Sequence, residues 1–214
     1  SWPDFLYEMI NSNISIYNGG FKGHDSACEI QKMMRDILLL KPDIILIYDG
    51  FNDIEQNHHS LFESNSNLSI IHTYINEKKL PDKPWYGISI SDNTFDAWLY
   101  RIEMMYAIAK FFEIDFFVFV QPYLLSKKQP LSKYELLLKR YSLYYATDEI
   151  LFASDQFAER LSEPDFHKKY PYIFNLMDIF DNEKEVYIDP CHVWEHGNKI
   201  IADTIYKHIS SYIP

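Results

Sequence analysis

Two continuous apolar runs are the clearest feature in the pattern of hydrophobic and polar positions along this chain. Residues 43–48 read DIILIY, and residues 116–121 read FFVFVQ. Short apolar runs of this kind, bounded by turn signals, are typical of strands that are buried on both faces of a parallel sheet. The pattern therefore predicts two central strands.

Shorter apolar segments predict further strands, and apolar residues spaced three or four positions apart predict the helices. Strands are expected at residues 14–17, 174–177 and 186–188. Helices are expected at residues 1–10, 26–40, 93–112 with Asp92 as the N-cap, 132–161, and from 196 onward. Strands that alternate with helices predict an α/β fold, in which a parallel sheet is covered on both faces.

The chain is expected to form one domain. It contains 214 residues, enough for one substantial core, and no internal repeat or interdomain linker divides the sequence. Residues 55–93 are polar and predict a long loop, whereas residues 132–161 predict a helical insertion. We therefore expect a single α/β domain over residues 1–214 that carries this insertion.

Charge and composition argue against several partners and kinds of site. The formal net charge is −11, whereas nucleic acid or an anionic membrane requires clustered lysine and arginine. No run of 18 apolar residues occurs, so no membrane-spanning helix is predicted.

Cys28 and Cys191 are too few for a disulfide scaffold or a cysteine-based zinc site, and they leave the redox compartment undecided. His58, His59 and His72 lack the spacing of metal ligands, so we expect solvated side chains and no metal site there.

Glycine and polar residues follow three of the predicted strands. Gly23 follows the first strand, residues 49–53 (DGFND) follow the second, and residues 189–192 (DPCH) follow the last. Because the carboxyl ends of parallel strands meet at one edge of a sheet, we expect these loops to lie together. In acyl transfer, a histidine takes a proton from a hydroxyl nucleophile, a carboxylate holds the histidine ring, and N–H donors stabilise the oxyanion. The spacing of Asp189 and His192 lets the carboxylate reach Nδ1 while Nε2 faces the cleft.

Three segments resemble a known family. NGGFKGHDSACEI, IILIYDGFNDI and IDPCHVWEHGNKIIA are similar, in order and in strand context, to the second, third and fifth sequence blocks of the SGNH (GDSL-type) hydrolases. The resemblance extends from Trp2 to the last helix, apart from residues 55–93 and 132–161. It implies a three-layer, flavodoxin-like α/β/α fold and a serine-type esterase or O-acyl hydrolase that works through an acyl-enzyme. The implied partner is a small-molecule, glycan or lipid ester.

The resemblance also implies roles for individual residues. His192 would be the general base, and Asp189 would orient it. Gly23 would give a backbone N–H, and Asn52 a side-chain amide, to an oxyanion hole. Gln121 closes a central strand near the expected site and is a candidate for a substrate contact. No metal or organic cofactor is implied.

One block of the family is not in this sequence. The first block, G-D-S, carries the nucleophilic serine, and in the family a segment like residues 2–6 (WPDFL) follows it. We therefore expect the first strand and the nucleophile to lie upstream of Ser1, so that the chain as given is truncated and inactive alone. The alternative is a protein that naturally lacks the serine. Ser26, in the segment GHDS, resembles the lost serine in its neighbours, but its position predicts a helix N-cap.

Two other functions use the same residues. The first is a non-catalytic relative that binds a glycan or acyl ligand in the same cleft. The second is an O-acyltransferase that delivers the acyl group to a sugar hydroxyl instead of water. Specificity in such folds resides in loops, here mainly residues 55–93 and 132–161, whose composition names no ligand. Cys191 is interpreted as a buried spectator thiol.

Overall fold

The computed structural model describes residues 1–10, 14–56 and 93–213, which together form a mixed α/β fold. The helices in these residues are α1 (Trp2–Ile10), α2 (Ser26–Lys32), α3 (Phe51–Gln56), α4 (Thr94–Phe111), α5 (Lys133–Tyr145), α6 (Asp148–Leu161), α7 (Phe166–Lys169) and α8 (Glu195–Ile209). The strands are β1 (Ile44–Asp49), β2 (Asp115–Val120) and β3 (Ile173–Asn175). Most of the predicted loop at residues 55–93 lies outside the described residues. The same holds for the predicted helix cap Asp92 and for the histidines of that loop, His58, His59 and His72.

The three strands form one parallel sheet in the order β1-β2-β3. Ile44 pairs with Asp115 and Asp49 with Val120, so the two longer strands end level with each other. Within the described part of the chain, β1 pairs with β2 alone, and its opposite edge carries no strand. The two central strands that the apolar runs predict are confirmed within one residue at each end.

Helices cover both faces of this sheet. Val118 and Val120 of β2 pack into a cluster with residues of α2, α4 and α6. Phe117 and Phe119 point the other way and pack with residues of α1 and α8. Apolar side chains on both sides of a strand are what a buried parallel sheet requires, because helices exclude water from each face. No helix among the residues described is long and apolar enough to cross a bilayer.

Two predicted strands are wrong, and a third is shorter than expected. Residues 14–17 form no strand, because no strand in the described part of the chain lies beside them to supply ladder hydrogen bonds. Residues 186–188 form only an isolated bridge, and β3 covers residues 173–175.

Two predicted helices are divided. The helix expected over residues 26–40 is α-helical to Lys32 and then continues as π and 3₁₀ turns, which end where Lys41 takes a left-handed φ of 50°. The helix expected over residues 132–161 breaks at Ala146, whose extended backbone separates α5 from α6. Thr147 then caps α6, since its side chain accepts the Ile150 amide.

Candidate active site

Asp189 and His192 lie at the tip of a short hairpin that leads into α8. The arms of this hairpin meet in an antiparallel bridge between Tyr187 and Val193. Backbone hydrogen bonds of 2.8 Å close the bridge on either side. The segment 186–188, predicted as a sheet strand, is therefore one arm of the hairpin.

Three hydrogen bonds within the tip hold the Asp189 carboxylate. Its Oδ1 accepts the backbone N–H of Cys191 at 3.0 Å and that of His192 at 2.8 Å. Its Oδ2 lies 2.7 Å from His192 Nδ1. Partial burial alone would raise the pKa of Asp189, but these hydrogen bonds outweigh it and hold the pKa below its ordinary value. The carboxylate is therefore ionised at neutral pH.

The His192 ring is open to solvent beyond this contact, with 61% of its side chain exposed. When Nδ1 carries the proton and donates a hydrogen bond to Asp189, the free lone pair of the ring lies on Nε2. This tautomer is the one that a general base requires.

The hairpin is tied to the carboxyl end of β2. The Leu124 amide donates to the Pro190 carbonyl at 2.8 Å, and Gln121 Nε2 donates to the Cys191 carbonyl at 3.2 Å. The backbone N–H of Gln121 donates to the backbone carbonyl of Asp49 at 2.7 Å, and this bond extends the pairing of β1 with β2. Gln121 thus contacts the hairpin with the side chain that the sequence suggested for a substrate contact.

A second pair of loops meets at the same rim, where β1 ends. Asn52 lies in the first turn of α3, and its Nδ2 donates to the His24 carbonyl at 2.6 Å. Gln56 Nε2 donates to the Gly23 carbonyl at 2.9 Å. Gly23 has a φ of +76°, which disfavours a side chain although no atom lies within 4 Å of the position of a Cβ. Gly50 has a φ of +115°, and a Cβ there would come within 3.2 Å of Val120 Cγ1.

A buried ion pair lies beneath these two loops. Asp53 and Arg101 are 1% and 0% exposed, and Arg101 Nη1 donates to Asp53 Oδ1 at 3.0 Å. Ser26 joins them, since its hydroxyl donates to Asp53 and accepts from Arg101. The Ser26 hydroxyl is fully buried, so an ester outside the protein cannot reach it. The predicted N-cap role of Ser26 is wrong: Ser26 is the first residue of α2, and the cap is Asp25, whose carboxylate accepts the Cys28 amide at 3.0 Å. The backbone N–H of Ser26 donates to Asp53, so these groups fix the start of α2 against α3.

Buried carboxyl groups surround this ion pair. Burial, followed by the negative charge of Asp53, raises the pKa of both Asp49 and Glu29 well above the ordinary range. Burial raises the pKa of Asp53 as well, although Arg101 and Ser26 act in the opposite direction. Trp98 Nε1 donates to Asp49 Oδ2 at 3.2 Å. The folded protein therefore retains protons in this cluster to a higher pH than the unfolded chain does.

Cys191 lies between the two polar residues of the hairpin tip and is only partly buried, whereas the sequence predicted a buried thiol. Burial and the charge of Asp189 raise the pKa of its thiol to about 12, so the reactive thiolate is scarce at neutral pH. One ligand atom from each of Asp189, Cys191 and His192 lies within 4.8 Å of the others. These three side chains are therefore close enough to hold a metal ion together.

Gly197, in the first turns of α8, was not singled out by the sequence. A Cβ at this position would lie 2.7 Å from Val186 Cγ1 and 2.8 Å from Val193 Cβ, both in the arms of the hairpin. The helix therefore seats against the hairpin only with glycine here. A glycine inside a helical pattern, which costs about 1 kcal/mol relative to alanine, is the signal that could have revealed this contact.

No family model matches this sequence, and none of the curated proteins matches it. The resemblance to the SGNH hydrolases therefore rests on the three sequence segments. Asn52 follows β1, whereas the hairpin with Asp189 and His192 is bonded to the residues that follow β2. The loop of Gly23 is bonded to α3. Since β1 and β2 are parallel and end level with each other, these loops lie at one rim of the sheet.

Proposed function

We propose that this chain is the greater part of an SGNH-type serine esterase or O-acyl hydrolase. The observation that carries the proposal is the 2.7 Å contact between Asp189 Oδ2 and His192 Nδ1, at the rim that also holds Asn52. In this proposal, the nucleophilic serine belongs to a segment upstream of Ser1.

The proposed reaction is acyl transfer in two steps. His192 Nε2 takes the proton of the serine hydroxyl, and the serine oxygen attacks the ester carbonyl. The imidazolium that forms is stabilised by Asp189 and gives its proton to the departing alcohol. Water then attacks the acyl-enzyme, with His192 again as the base. The bond between the acyl group and the serine oxygen breaks, the imidazolium returns its proton to that oxygen, and the acid is released.

The negative oxygen of each tetrahedral intermediate is assigned to the loops of Gly23 and Asn52. One N–H of the Asn52 amide donates to the His24 carbonyl, which fixes the amide plane and leaves its second N–H as the donor for the oxyanion. The backbone N–H of Gly23 is the second proposed donor. A fixed donor at this position is worth about 3–4 kcal/mol of barrier in other acyl-transfer sites.

We also infer a three-layer α/β/α architecture for the domain. Helices on both faces of the parallel sheet support the three-layer, flavodoxin-like arrangement of a single domain. The edge of β1 that bears no strand in the described residues is where a further parallel strand, carrying the G-D-S block, would pair. The burial of Ser26 supports an origin of the nucleophile outside the given residues.

The test is hydrolysis of p-nitrophenyl acetate by the complete protein. We expect His192→Ala to lower kcat about 10⁴- to 10⁶-fold, the usual loss when a triad member is removed. His196→Ala is the matched control, since His196 is exposed in the same region, and it should retain wild-type activity. A fluorophosphonate probe should label a serine upstream of Ser1. Unchanged activity without His192, or labelling of Ser26, would refute the assignment.

A binding protein is the second candidate function. Among the described residues, the ring of His192 has hydrogen-bonding contacts only with Asp189 and Cys191, and neither is a hydroxyl. A chain that lacked the serine altogether would hold an ester or glycan at this rim without cleaving it. Tight binding of an acylated sugar, combined with no hydrolysis and no fluorophosphonate labelling by the complete protein, would favour this function.

A further inference from the structure

The carboxylate of Glu135, in the first turn of α5, is a buried hydrogen-bond centre. Its Oε1 accepts the backbone N–H of Val186 at 2.8 Å and that of Tyr187 at 3.2 Å. Its Oε2 accepts the N–H of Glu185 at 3.3 Å and that of Ser132 at 3.0 Å. The carboxylate of a capping box needs only the last of these bonds. The other three reach a distant segment of the chain, which is the arm of the hairpin that leads to Asp189.

A buried lysine balances the charge of this carboxylate. Lys127 Nζ donates to both oxygens of Glu135, at 3.0 and 3.1 Å, and neither side chain is exposed. Burial alone would raise the pKa of Glu135, but the hydrogen bonds from Ser132, Lys127 and the hairpin hold the pKa below its ordinary value. Glu135 is therefore ionised, and hydrogen bonds from N–H groups to a charged acceptor are about twice as strong as neutral ones.

The neighbouring residue of α5 holds the next position of the same arm. The Tyr134 hydroxyl donates to the Ile188 carbonyl at 2.7 Å. Glu135 and Tyr134 together thus bind residues 185–188, and residue 189 is the carboxylate of the Asp189–His192 pair. Within the described residues, the hydrogen-bonding partners of the imidazole are Asp189 and Cys191, so neither of these two side chains is hydrogen-bonded to it.

We propose that Glu135 and Tyr134 are positioning residues, which hold the hairpin arm so that the Asp189 carboxylate meets His192 Nδ1. This inference rests on the proposed function, because it assigns the two residues to the orientation of the general base. The four bonds to residues 185–188 fix the backbone direction at which the chain enters the tip. The three bonds that Asp189 makes within the tip depend on that direction.

The test uses Tyr134→Phe and Glu135→Gln, each with a matched control. Tyr134 is partly exposed, so its substitution removes one hydroxyl without disturbing the core. Tyr141→Phe, on an exposed residue of the same helix, is its control. Glu149→Gln, in the exposed first turn of α6, is the control for Glu135→Gln.

Two measurements report on the tip itself. Hydrogen exchange of the Cys191 and His192 amides, which donate to Asp189, should speed up about tenfold in Glu135→Gln and about three- to tenfold in Tyr134→Phe. Titration of the Asp189 carboxyl by ¹³C NMR should show its pKa rising in both variants, because the bonds that lower it are loosened. The two control variants should match the wild type in both measurements.

These readouts do not depend on catalysis, so they separate this inference from the proposed function. If Asp189 titrates and its neighbours exchange as in the wild type in Tyr134→Phe, the positioning role is wrong, even if Glu135→Gln unfolds. If both readouts move while the complete protein hydrolyses no ester, the positioning role stands and the proposed esterase fails. If the complete protein is active, kcat should fall in both variants with KM little changed.

Discussion

The two sides of the candidate site are held in opposite ways. The Gly23–Asn52 side rests on the ion pair between Asp53 and Arg101, which is almost completely buried. On the Asp189–His192 side, both side chains remain 43% and 61% exposed, and the supporting bonds come mostly from the backbone. Groups that only donate hydrogen bonds can be fixed by a buried network. A group that exchanges protons with its surroundings must stay accessible, so its orientation has to come from the chain behind it.

The largest expected effect is on the buried side. Arg101→Met removes the cation from Asp53 and Ser26 and should lower the free energy of unfolding by about 3–5 kcal/mol. Urea denaturation measures the change. Arg140→Met, at an exposed arginine of α5, is the control and should stay within about 0.5 kcal/mol of the wild type. If Arg101→Met lowered the free energy of unfolding by less than about 1 kcal/mol, the ion pair between Asp53 and Arg101 would not be what holds the Gly23–Asn52 side in place.

A smaller effect is expected where α8 meets the hairpin. Gly197→Ala forces a methyl group against Val186 and Val193. Overpacking of this kind costs about 1–3 kcal/mol, and the gain in helix propensity returns about 1 kcal/mol. We therefore expect a net loss of up to about 2 kcal/mol by thermal or urea unfolding. Adding Val186→Ala should cancel part of that loss in a double-mutant cycle, and purely additive effects would contradict the close contact.

The smallest effects are the slopes of stability against pH, which should have opposite signs on the two sides. The raised pKa of Asp49 and Glu29 means that the folded state binds more protons, so stability falls as pH rises from about 4 through their folded pKa. The lowered pKa of Asp189 means that its contribution is lost as pH falls below about 4. Each extra proton bound changes stability by at most about 1.4 kcal/mol per pH unit.

Two variants assign these slopes to the two sides. Asp49→Asn should flatten the fall in stability above pH of about 4, and Asp189→Asn should flatten the fall below it. Urea unfolding across the pH range measures both. A slope that persists in the matching variant would show that the protons bind elsewhere.

The sequence was sufficient for features whose cause is local. The strands β1 and β2 coincide with continuous apolar runs, and the hydrogen bond between Asp189 and His192 follows from a spacing of three residues in one turn. The predicted strand at residues 14–17 failed because a strand needs a neighbour, and propensity alone does not supply one. The roles assigned to Gly23 and Asn52 stay predictions.

Features with partners far along the chain were missed. Ser132 and Glu135 have the spacing of a capping box, which locates the start of α5 but says nothing of residues 185–187. Arg101 stands within the apolar stripe of α4, and an arginine in such a place signals a buried acidic partner. Which acid it meets depends on the packing of three helices, and the spacing along the chain does not encode that.

The two helices α5 and α6, which the break at Ala146 separates, limit how the protein can be shortened. The sequence predicts residues 132–161 only as a helical insertion in the domain. Phe157 of α6, however, is fully buried among the core aromatics, and Glu135 of α5 supports the arm that ends at Asp189. Deleting residues 132–161 would therefore remove Phe157 from the core and also remove the hydrogen bonds of Glu135 to the hairpin arm. A variant designed to change this segment has to keep both helices and substitute only their exposed positions.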